Sequence, residues 1–228
     1  MADLQAIVAR VKNALASGAP AANHAAPRPA LLQPDGHCAE LMSAFARELE
    51  AVGGRTIGPV APEQLAERVG AVVRERGVKS IAVGEGVLVD LGQVGKTLSE
   101  SGIDVIVTGR VDGSTRPELR RQLAQVDAGL AEADYAIAAT GTLAVLSEET
   151  RPSALTLLPP ASLVVVRIDR IKADLASALN ALGCAALESH RLTLITGPSR
   201  TADIEKRIVM GVHGPKSLDV IVVWPRDD

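Results

Sequence analysis

Residues 78–107 read VKSIAVGEGVLVDLGQVGKTLSESGIDVIV. The apolar run at 80–83 is strand-sized and stops at Gly84-Glu85-Gly86. From 88 to 101 the apolar positions recur at helical spacing, and 103–107 reads as a second strand. Joining two such strands through a helix requires a crossover, which predicts parallel pairing. The same rhythm extends outward. Helices are predicted at 38–51, 62–76, 116–126, 171–182 and 201–210, the second opened by Pro62 in the first helical position. Strands are predicted at 135–138, 143–146, 155–158, 163–166, 192–196 and 218–223. The expected fold is α/β, a mostly parallel sheet with helices on both faces. The hairpin-like pair at 135–146 suggests that the sheet is mixed. No internal repeat is visible.

Upstream, residues 3–15 place Leu4, Ile7, Val8, Val11 and Leu15 on one helical face. A stretch carrying Pro20, Pro27, Pro29 and Pro34 among alanines follows and reads as a linker. The expected organisation is therefore an appended helix and linker at 1–35 and a single α/β domain at 36–228.

The chain has 228 residues, 47% hydrophobic and 22% charged, with a net charge of −3. This composition suits a globular core and excludes a disordered chain. Lys and Arg are scattered, and Phe45, Tyr135 and Trp224 are the whole aromatic set. That leaves neither a basic footprint nor a stacking platform for nucleic acid. Cys38 and Cys184 are too few for a four-thiolate iron–sulfur cluster or a Cys-rich zinc site, so no metal is expected in this chain. The first residues lack the apolar core of a signal peptide, and no stretch is long enough for a membrane span. A cytoplasmic protein is expected.

Ligands of open α/β sheets sit beyond the carboxyl ends of the strands, so the loops there hold the candidate chemistry. Gly84-Glu85-Gly86 imitates a dinucleotide fingerprint, but Val89 stands where its third glycine belongs. The simpler reading is a tight strand-to-helix turn that presents Glu85 to a cleft. Thr140, Gly141 and Thr142 combine two hydroxyls with a glycine that admits a ligand close to the backbone; an ordinary hairpin turn is the alternative. Gly197, Ser199, Arg200 and Thr201 follow a strand and precede the expected helix, whose free N–H groups and neighbouring guanidinium suit an anion. The alternative there is plain helix capping, with Asp203 and Glu205 complementing the dipole. Of His24, His37, His190 and His213, only His213 lies in a Gly-rich setting, Gly211 to Pro215. Glu85 and His213 are the candidate catalytic residues. Arg151, close after Glu148 and Glu149, reads as part of a surface charge cluster, with a carboxylate clamp as the alternative.

ADYAIAATGT at 133–142, SALTLLPPASLVVV at 153–166 and ITGPSRTADIEKRIVMGVHGP at 195–215 together resemble the LUD-domain family, within it the lactate utilization protein C group. The likeness covers the last hundred or so residues closely and the earlier sheet by pattern. It implies a three-layer α/β/α sandwich similar to the sugar-phosphate isomerase and CoA-transferase superfamily. It also implies a part in oxidising L-lactate to pyruvate beside iron–sulfur partner proteins, as a component without a cofactor of its own. A small anionic metabolite would bind between the Thr140 and Ser199 loops. An independent small-molecule enzyme of the same fold is the alternative, and whether the isolated chain is catalytic stays open. The family usually carries an acid before the TGT triplet, where this chain has Ala139, which leaves Glu85 as the nearest conceivable substitute.

Overall fold

The computed structural model describes residues 38–109, 115–183, 189, 191–202, 208–210 and 214–225, all of them within the unit Leu32–Asp228. In chain order the first elements are α1 (Cys38–Ala51), β1 (Arg55–Val60), α2 (Leu65–Glu75), β2 (Ser80–Val83), α3 (Leu91–Glu100) and β3 (Asp104–Val107). There follow α4 (Arg116–Leu123), β4 (Ala128–Glu132), β5 (Tyr135–Ile137), β6 (Thr142–Ser147), α5 (Ala154–Leu157) and β7 (Ala161–Arg167). The last are β8 (Ile171–Lys172), α6 (Leu175–Leu182), β9 (Arg191–Ile195), β10 (Arg200–Ala202), β11 (Ile208–Met210) and β12 (Ser217–Val223).

Six strands form one sheet in the order β1-β12-β7-β4-β2-β3, and every pair in it is parallel. Strand periodicity divides the core between its faces. Ile81, Val83, Leu130, Leu163, Val165, Ile221 and Val223 point one way, toward Val69, Val73, Val94 and Leu98 of α2 and α3. Val164, Val166, Val220 and Val222 point the other way, toward Leu41, Phe45 and Leu49 of α1 and Leu143 and Val145 of β6. Ala82 and Ala131 share that second face with Leu123 and Leu155. The parallel sheet with helices on both faces is the one expected.

The hairpin does not enter that sheet. β5 and β6 pair antiparallel, and with β8 and β9 they make a separate sheet of order β8-β5-β6-β9. One of its faces covers α1 and the parallel sheet; the other receives Ala178 and Leu182 of α6. Alternation along β5 and β6 is thus real, but both of its faces are dry, which periodicity within one segment does not reveal.

Other expectations need correction. Residues 154–157 are a short helix, not a strand, bracketed by Pro152 and Pro159 and laid over Gly129, where a side chain on β4 would collide with the Leu155 carbonyl. The helix expected from 171 begins instead at Leu175, capped by Asp174, whose carboxylate accepts the Ser177 N–H at 2.7 Å, because Ile171 and Lys172 pair with β5. The helix expected at 201–210 is replaced by β10 and β11, which pair antiparallel as Arg200↔Met210 and Ala202↔Ile208. Two strands were missed altogether. β1 contains Gly58-Pro59 and a bulge before Val60; β4, AGLAE, is built of residues with low β-propensity yet lies buried at the centre. The helix expected at 3–15, Cys184 and all four histidines, His213 among them, lie outside the described residues.

Candidate functional site

The turns at Thr140 and Gly197 do adjoin, because β6 pairs with β9 so that Leu143 faces Ile195. The Thr142 hydroxyl lies 2.7 Å from that of Thr140 and 2.7 Å from that of Thr196, a short relay of three threonines. Among the described residues both turns meet the end of α1. Gly141, at φ +61°, is pressed against the backbone of Glu48 and Leu49. Gly197, at φ +84°, lies where a Cβ would sit 2.9 Å from the Val52 side chain. The C-terminal end of α1 therefore packs against both glycines.

Two of the donors expected there have partners within the protein. The Arg200 Nη2 donates to the Val52 carbonyl at 2.5 Å, and the Ser199 N–H donates to the Pro215 carbonyl at 2.8 Å. Thr201 lies in β10, a strand where a helix start was expected. Of the anion site expected from Thr140, Gly141, Thr142, Gly197, Ser199, Arg200 and Thr201, Gly141 and Gly197 are packed against the end of α1, whereas Thr140 and Arg200 stay exposed. Gly197 and Ser199 do line a neighbouring cavity of about 230 Å³, whose other walls include Leu157, Ser162, Leu194 and Leu218.

The carboxyl edge of the parallel sheet is built differently. The chain proceeds from β2 outward to β3, then returns across β2 to β4 and continues inward. The crevice between the ends of β2 and β4 is therefore the topological switch point, where open α/β sheets hold ligands. Gly84, Glu85, Glu132, Arg151 and Thr156 line it. Glu132, only 2% exposed, closes β4. Its carboxylate accepts the Val87 N–H at 2.6 Å and the Leu88 N–H at 3.0 Å, which fixes the Gly84–Leu88 turn. Burial raises the Glu132 pKa above the usual glutamate range, against the pull of these N–H groups and of Arg151.

Arg151 is not a surface charge. It is 7% exposed and donates to Asp134 at 3.1 Å and to Glu148 at 2.9 Å. Asp134 also accepts the Leu146 N–H at 2.7 Å, which ties this network to the end of β6. Glu85 is exposed at the rim. It does not stand in for an acid at Ala139. Its crevice reaches Val145, and at ~3.3 Å per residue the strand from Val145 back to Thr142 alone spans about 10 Å. Ala139 lies beyond that, with its N–H on the Ala173 carbonyl.

Beside the switch point a wider cleft of about 350 Å³ opens between α4, the end of β6 and the start of β9. Arg116 and Arg120 face it from successive turns of α4, Arg191 from β9, and Ser147 from β6. None of these arginines makes an ion pair among the described residues. Sequence reading missed this site. Glu132 falls in a segment of weak strand propensity, and Arg191 is far along the chain from Arg116 and Arg120. The one local signal was the spacing of Arg116 and Arg120, a single helical turn.

Residues 42–223 match the family model described as the LUD domain. Over 109 residues the chain is 38% identical to lactate utilization protein C of Deinococcus radiodurans, covering 47% of this chain and 51% of that one. It is 34% identical over 106 residues to lactate utilization protein C of Halalkalibacterium halodurans, covering 45% and 46%. The chain thus spans about half the length of these curated relatives. The crystal structure of a DUF162 family protein from Deinococcus radiodurans superposes with a TM-score of 0.59 over 82% of this chain and 98% of that one, at 23% identity. Among the described residues no helix is long and apolar enough to cross a membrane.

Proposed function

This chain belongs to the LUD-domain family, and from that premise we propose that it serves L-lactate oxidation to pyruvate as a component that carries no electrons itself. Its part is to bind a small anionic metabolite while iron–sulfur partner proteins conduct the redox steps. The family match and the names of the two relatives support the lactate role. The thiol count supports the division of labour, since Cys38 and Cys184 fall short of the four thiolates that a cluster takes.

The observation that carries the anion-binding role is the cleft at the carboxyl edge, where Arg116, Arg120 and Arg191 present guanidinium groups without ion-pair partners among the described residues. Arginine forks suit carboxylate and phosphate oxygens, and the site adjoins the switch point of the sheet. At the Thr140–Arg200 junction a single guanidinium stands alone, with one of its N–H groups on the Val52 carbonyl.

The test is reconstitution. The chain is mixed with the iron–sulfur proteins of a lactate-oxidising system, and lactate-dependent dye reduction is followed with and without it. The expected result is co-purification with those proteins and a higher rate when the chain is present, with the gain diminished in Arg191→Gln. A chain that neither joins the complex nor changes the rate overturns the proposal.

A further inference from the structure

Resting on the reading of the carboxyl-edge cleft as an anion site, we propose that its ligand carries a phosphate group, as a small phosphomonoester does, and is not a simple monocarboxylate. Three features of the cleft lead there.

The first is charge. Of the acidic groups on the cleft wall, Glu148 is paired with Arg151 at 2.9 Å, and Glu149 is itself engaged. Arg116, Arg120 and Arg191 remain. Arg116 and Arg120 are four residues apart on α4, a spacing at which like charges repel. One carboxylate meets one guanidinium fork and leaves the others uncompensated. A phosphomonoester presents a dianion with three terminal oxygens, enough acceptors for several forks at once.

The second is a hydroxyl with nothing to bind. Ser147 is 5% exposed, and its Oγ has no hydrogen-bond partner among the described residues. In the β6–β9 ladder Ser147 is directly opposite Arg191, so the two side chains share a face, and both line the cleft. A buried hydroxyl without a partner is costly, and an anion held by Arg191 supplies the missing acceptor.

The third is room. At about 350 Å³ the cleft exceeds what a phosphate or lactate would fill, and Leu119, Pro152 and Ala154 give part of its wall an apolar surface. That wall accommodates the organic part of a ligand whose phosphate sits among the arginines.

The experiment is calorimetric titration of the full chain in a phosphate-free buffer of low ionic strength. The probes are inorganic phosphate, pyrophosphate and glycerol phosphate, set against L-lactate, pyruvate and succinate. Phosphate-bearing probes are expected to bind. Arg191→Gln, and Arg116→Gln combined with Arg120→Gln, should each weaken them about tenfold or more, the usual scale for loss of a charged hydrogen bond. Ser147→Ala should weaken them about threefold or more while leaving the thermal midpoint of the free protein unchanged, since its hydroxyl has no partner to lose.

Arginine-dependent binding of the carboxylates alone overturns the phosphate assignment and leaves the cleft an anion site. Absence of binding by any of the six probes overturns both. Phosphate binding that survives all the arginine substitutions places the ligand elsewhere and likewise overturns the proposal.

Discussion

At the residue scale the most informative group is Glu132. A carboxylate at the end of a central strand is costly to bury, and two backbone N–H groups offset part of that cost. Because burial raises its pKa, the folded protein retains a proton that the unfolded chain releases. The stability linked to this group is therefore fully present below the unfolded pKa and is lost as pH rises through the folded one. Glu132→Gln cannot ionise, and one amide oxygen can still accept from the turn. Urea unfolding of both proteins at about pH 5 and about pH 8 should show the variant gaining relative to the parent at the higher pH. An equal difference at both values would mean that Glu132 is not held in a protonation-sensitive environment.

At the element scale, the fit between α1 and the β5–β6 turn decides what two of the glycines are for. Helix α1 is amphipathic and buries Leu41, Phe45 and Leu49. Its last turn then lies across Gly141 and Gly197, two positions where only glycine accommodates both the left-handed backbone and the close approach. A Cβ at position 141 would lie 2.7 Å from the Glu48 carbonyl carbon. Gly141→Ala should therefore destabilise the protein by more than the ~1–2 kcal/mol of left-handed strain alone, measured as a lowered midpoint in urea. A neutral effect would mean that α1 does not seat on the turn as described. A glycine read from sequence as room for a ligand proves to be room for a neighbouring helix.

For the whole molecule, one buried ionic cluster joins parts of the chain that composition cannot relate. Asp219, fully buried in β12, receives the Arg55 Nε at 2.6 Å and the Arg76 Nη2 at 2.8 Å. Arg55 is its parallel cross-strand partner on β1, and Arg76 follows the end of α2. The cluster thus pins an edge strand and a covering helix to the sheet. Both arginines keep about a third of their side-chain surface in water, whereas the carboxylate keeps none. Removing the arginines strands a buried charge; removing the acid leaves cations that water can reach. The double variant Arg55→Ala and Arg76→Ala should accordingly cost about 3–5 kcal/mol, and Asp219→Ala less. Denaturant unfolding checks the order, and a larger loss for Asp219→Ala would contradict the account.

Sequence alone determined the class of fold, because long apolar strands alternating with amphipathic helices can bury both faces only in a parallel sheet, and that pattern is local. It also carried the hairpin, read at 135–138 and 143–146 against the observed Tyr135–Ile137 and Thr142–Ser147, and α1. Tertiary structure decided the rest. The AGLAE of β4 is a strand because its neighbours demand small residues there, as Gly129 under α5 illustrates. Arg151 is buried because Asp134 and Glu148 meet it, not because its surroundings in sequence are apolar. Arg116, Arg120, Ser147 and Arg191 share a cleft through strand register and a crossover. Periodicity reports which side of an element is dry; what stands opposite that side depends on contacts between residues distant along the chain.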